Sequence, residues 1–143
     1  MSNKLENDFQ KNGYTVSKTK EQKALSYLQE KILNFVLSSD KNAKQNFKKY
    51  KNIKEYFSNL HKHVSLNKLN NLRVNVIKKM NRDEKFRENY YLVAKEGLDQ
   101  LVGNELAMQN KLNLSLQMPH DKNSQLPMHS DIYAGESPFE VVV

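Results

Sequence analysis

Apolar residues recur at three- and four-residue spacing through most of this chain, and the spacing changes near its end. Leu25, Leu28, Ile32, Phe35 and Val36 make one apolar stripe, which predicts an amphipathic helix over Ser17–Ser38. Thr19 and Gln22 are spaced for a capping box at its start, and Ser38-Ser39-Asp40 ends it. Ile53, Tyr56, Phe57 and Leu60 predict a short helix over Ile53–His63, and Leu66, Leu69, Leu72, Val76 and Ile77 predict another over Leu66–Met80. Asp83 has the type and place to cap the next helix, where its charge also suits the N-terminal dipole. That helix carries Phe86, Tyr90, Tyr91, Val93, Ala94, Leu98 and Leu101, and Gly103 stops it.

Two stretches are less regular. Leu5 to Val16 reads as a short helix, a turn at Asn12-Gly13 and a strand Tyr14-Thr15-Val16. Asp40 to Lys54 is polar and Lys-rich, with Phe47 and Tyr50 three apart, as in a loop or a loosely held helix. After Gly103 the period becomes two, with Leu112, Leu114 and Leu116 alternating with Asn113, Ser115 and Gln117. That pattern predicts a strand with one buried face. Helices followed by strands is an α+β order. The expectation is one domain over residues 1–143, with 1–103 mainly helical and 104–143 forming strands on which the helices pack.

Composition narrows the class. The chain has 143 residues and no Cys, so it has room for one core and holds no thiolate metal site. No apolar run of about 18 residues occurs, which removes a membrane-spanning helix, and the cytoplasm is the compartment expected. The net charge is +7. The surplus lies before Lys111, because the rest has two Lys against Asp121, Asp131, Glu136 and Glu140. These Lys read as solvated helix faces rather than as a nucleic-acid surface. His61-Lys62-His63 is not a metal pair, since residues two apart on a helix diverge by about 200°. Both are expected to be surface His. The Tyr90-Tyr91 pair reads as half-buried packing.

The candidate chemistry lies late. In His129-Ser130-Asp131 the imidazole and carboxylate would share one face of a strand. They make two thirds of a facial triad for non-haem Fe(II). Pro127 and Pro138 bracket them, Gly135-Glu136-Ser137-Pro138 has the composition of a turn, and Phe139-Glu140-Val141-Val142-Val143 is a β-prone run. Gln117, on the polar face of the preceding segment, either bonds a cosubstrate carboxylate or is an ordinary exposed polar residue. His120 lies in the loop before the motif and is the other His nearby. No Gly-rich phosphate loop or Gly-x-Ser-x-Gly elbow occurs.

The block from Met118 to Val143 resembles the Fe(II)/2-oxoglutarate oxygenases of the phytanoyl-CoA dioxygenase-like superfamily, of the type associated with bacterial surface-carbohydrate clusters. The close resemblance covers roughly the last thirty residues. A Phe9-x-x-x-Gly13-Tyr14 opening is also similar. The resemblance implies an incomplete double-stranded β-helix (jelly roll) that begins after the helices, with His129 and Asp131 as Fe(II) ligands. It also implies 2-oxoglutarate and O2 as cosubstrates, and a small molecule that is hydroxylated or oxidised. A distal His and a 2-oxoglutarate-binding Arg would follow later in the family, and this sequence has neither after Asp131. The chain is therefore expected to be an N-terminal part, inactive alone, with an apolar end prone to pairing. Two other classes stay open: a basic helical binding module without catalysis, and a cupin-like metal-dependent isomerase or binding barrel.

Overall fold

The computed structural model describes residues 4–103, 105–119 and 121. Among these residues six helices follow one another: α1 (Lys4–Asn12), α2 (Gln22–Leu37), α3 (Ala43–Phe47), α4 (Ile53–Ser58), α5 (Leu66–Met80) and α6 (Glu84–Val102), with a 3₁₀ turn at Leu60–Lys62. α2 is the central element. It packs on both α5 and α6, while α1 packs on α6 and α3 on α2.

The helix boundaries have local causes. Asp83 accepts a hydrogen bond from the Phe86 N–H at 3.2 Å and starts α6. Gly103 ends it at φ +82°, a backbone region other residues rarely adopt. Gly13 at φ +75° closes α1 in the same way, its N–H donating to the Phe9 carbonyl at 2.8 Å. At α4 the Asn52 side chain accepts from the Glu55 N–H, and the Glu55 carboxylate accepts from the Lys51 N–H, both at 2.9 Å. That exchange satisfies two donors at a helix start. α2 begins at Gln22, later than its sequence suggests. The Thr19 hydroxyl accepts from the Glu21 N–H at 3.1 Å, and the Gln22 amide donates to the Thr19 carbonyl at 2.7 Å. Thr19 and Gln22 therefore make a turn before the helix instead of a capping box within it.

The core takes part of the predicted stripes and adds Leu33, Val64 and Met80, while Leu66 at the start of the α5 stripe is 50% exposed. Leu28, Leu33 and Val36 of α2 meet Leu69, Leu72, Val76 and Met80 of α5, with Tyr56, Leu60, Val64 and Phe86 closing the cluster. Val76 is fully buried, and Tyr56 and Phe86 are 1% exposed. Burial at that level stabilises by about 1.5–3 kcal/mol for each large apolar side chain. Tyr56 also takes an edge contact from Phe47, with ring centres 5.4 Å apart. This contact explains why the Lys-rich stretch after Asp40 forms a helical turn at all.

The strand expectations fail among the described residues. Every regular element there is helical, so helices packing on a sheet, the α+β architecture with a jelly roll begun at residue 104, is not what the described residues form. Tyr14-Thr15-Val16 has no strand partner, and Tyr14 and Val16 are 65% and 86% exposed. The alternation at Leu112–Met118 is nonetheless real. Leu112, Leu114, Leu116 and Met118 are half-buried against the helical core, whereas Asn113, Ser115, Gln117 and Pro119 are exposed. Period two reports one covered face of an extended chain and does not say what covers it. Here helices do. In place of a ladder, the Asn81 side chain at the end of α5 grips Leu112 from both sides. Its amide donates to the Leu112 carbonyl and its oxygen accepts from the Leu112 N–H, both at 2.8 Å. Arg87 of α6 donates to the Met108 carbonyl at 3.1 Å. The segment is a strap across the bundle.

Candidate functional site

The strap forms one wall of a cavity of about 830 Å³. α4 and the 3₁₀ turn form a second wall through two parallel rows. Ile53, Phe57 and Leu60 present an apolar row, and Lys54, Ser58 and His61, spaced four and three apart, present a polar one. Gln29 and Ile32 of α2 supply the third wall. Leu116, Gln117, Met118 and Pro119 close the space from the strap. The lining is mostly apolar, with its cationic character at Lys54.

Gln117 thus borders a cavity, although its residue is solvent-exposed. His120, His129 and Asp131 lie outside the described residues. Among the described residues no three His, Asp or Glu side chains come together in a way that could hold a metal ion, and no helix is long and apolar enough to cross a membrane.

His61 in the 3₁₀ turn and His63 just after it go separate ways. His61 is exposed and borders the cavity. His63 is half-buried instead of fully exposed, with its Nε2 2.7 Å from the Tyr50 hydroxyl and its ring edge-on to the Tyr50 ring at 5.6 Å. Burial, then the charges of Lys49, Lys62 and His61, hold its pKa below the ordinary value. The sequence carries no local sign of this pairing, because Tyr50 comes thirteen residues earlier. The cavity-facing row Lys54, Ser58 and His61 could have been found, because it runs alongside the apolar row at helical spacing.

A second polar cluster joins α2 to α6. Asp83 accepts from Lys31 Nζ at 2.7 Å and from the Tyr27 hydroxyl at 3.1 Å. Lys31 also lies 5.2 Å from the centre of the Tyr27 ring. Burial alone would raise the Asp83 carboxyl. The hydrogen bonds from Lys31 and Tyr27, the Lys31 charge and the Phe86 N–H outweigh it and hold the group below its usual value. This cluster is a helix junction with all its groups engaged. Tyr90 and Tyr91 are half-buried, as their sequence suggests.

No family model, curated protein or solved structure compared with this chain matches it.

Proposed function

We propose that this chain is the N-terminal part of a non-haem Fe(II)/2-oxoglutarate-dependent oxygenase that hydroxylates or oxidises a small molecule, with surface-carbohydrate biosynthesis as its setting. The observation that carries the reading is His129-Ser130-Asp131 followed by Gly135-Glu136-Ser137-Pro138-Phe139-Glu140-Val141-Val142-Val143. A neutral imidazole and an ionised carboxylate are a fitting donor pair for Fe(II). Bound there, the metal would supply activation of O2. Gln117, bordering the cavity twelve positions before His129 in the sequence, has a carboxamide able to donate to a 2-oxoglutarate carboxylate.

A second reading is a basic helical binding module in which His129 and Asp131 have no joint role. It is favoured by the wholly helical character of the regular elements described and by the Lys surplus.

Titration with Mn(II), followed by loss of its free EPR signal, separates the two. On the oxygenase reading the chain takes up Mn(II) weakly, and His129→Ala and Asp131→Ala each abolish the uptake. Uptake that neither substitution changes sinks this reading and leaves the binding module.

A further inference from the structure

We propose that the cavity between α2, α4 and the strap is a binding site for a small carboxylic acid with an apolar body, its carboxylate held at Lys54 and its body laid along Ile32, Phe57 and Leu116. The proposal does not rest on the metal reading, since it uses neither His129 nor Asp131.

Three observations support it. The first is capacity. A volume of about 830 Å³ suits one ligand of drug-like or medium-chain size. The second is the arrangement of the lining. The apolar row of α4 and the apolar strap residues face a common space, while Lys54, Ser58 and His61 follow one another along an edge of it. None of these three side chains has a hydrogen-bond or ion-pair partner among the described residues, whereas the cations Lys31 and Lys95 are each matched by an Asp. A cation beside apolar surface that no carboxylate among the described residues neutralises is complementary to an anion with an apolar body.

The third is the surrounding charge. From Lys41 to Lys62 the chain carries seven Lys and a single acidic residue, Glu55. The Glu55 carboxylate is engaged with the Lys51 N–H at the start of α4. The local charge is therefore mainly positive. Such a charge draws anions toward the cavity. A doubly charged acid without an apolar body, such as 2-oxoglutarate, would leave the apolar rows uncovered and hold only at the polar edge. The preferred ligand class is hence monoanionic and hydrophobic.

The test is calorimetric titration of the full chain with decanoate, decan-1-ol and 2-oxoglutarate, with ¹H–¹⁵N mapping of the decanoate-bound state. Decanoate should bind and shift the amides of Ile32, Phe57, His61 and Leu116. Decan-1-ol, and decanoate with Lys54→Gln, should each bind about tenfold more weakly, the size expected for one charge-assisted contact. Ser58→Trp fills the cavity and should remove binding. Ser58 and Lys54 are exposed, so both variants should keep the helical circular dichroism of the parent. The proposal is overturned if decanoate does not bind, if neither substitution matters, if the shifted amides lie elsewhere, or if the alcohol binds as well as the acid. It is also overturned if 2-oxoglutarate displaces decanoate at equal concentration, which would make this the cosubstrate's site.

Discussion

Asn81→Ala should release the strap without loosening the bundle. Asn81 makes two hydrogen bonds to Leu112, donating to its carbonyl and accepting from its N–H, each 2.8 Å long. A hydrogen bond contributes about 0.5–1.5 kcal/mol net, so the pair could contribute about 1–3 kcal/mol. Both residues are near solvent, Asn81 being exposed and Leu112 half-buried, and water takes over part of each bond when the side chain is gone. The lower end, about 1 kcal/mol, is the appropriate figure, and it corresponds to a roughly fivefold rise in the open population. Native-state hydrogen exchange reads this directly. Protection of the Leu112 amide should fall by that factor, while Val76 and Phe86 in the core keep theirs. Asn81→Asp should not rescue it, because a carboxylate accepts from the N–H but cannot donate to the carbonyl. Lys78→Ala, one turn earlier on the exposed face of α5, serves as the control. Unchanged protection at Leu112 in Asn81→Ala would refute the idea that this side chain holds the strap.

Two further predictions concern the bundle. Phe86 is 1% exposed and packs 6.0 Å from the Phe35 ring, so Phe86→Ala should cost about 3–5 kcal/mol in denaturant unfolding; a loss below about 1 kcal/mol would contradict the burial described. The Asp83 carboxyl lies below its usual value in the fold, so its ionised form is favoured there. Its contribution to stability is therefore complete above about pH 4, the region of an unfolded Asp, and is lost as pH falls through the lower folded value. Asp83→Asn keeps a helix-capping oxygen but removes the charge, so urea midpoints measured against pH should show a shallower acid limb than the parent; parallel limbs would count against the junction with Lys31.

The helices were legible because their physics is local. α5 runs over Leu66–Met80, the span its stripe predicts, and Asp83 and Gly103 bound α6 as their chemistry requires. The strap was half legible. Alternation at Leu112, Leu114 and Leu116 correctly marks the covered face, but whether a strand or a helix does the covering is decided by distant residues such as Asn81. His63 was misjudged for the same reason, since Tyr50 reaches it through the fold and not through spacing. The cavity could have been anticipated along α4, but its other walls come from α2 and the strap. His129 and Asp131 lie outside the described residues, so their juxtaposition rests on the sequence.

The central place of α2 has a consequence for how the chain is made. Its partner across the junction, Asp83, follows Lys31 by 52 residues. At translation rates of 5–20 residues per second, roughly 3–10 s pass between the two. During that interval Leu28, Leu33 and Val36 have neither α5 nor α6 complete against them, and the short α3 shelters only part of the stripe. A ribosome-bound chaperone that recognises apolar helical faces has its opportunity there, and pauses in the α5 coding region would lengthen the exposure.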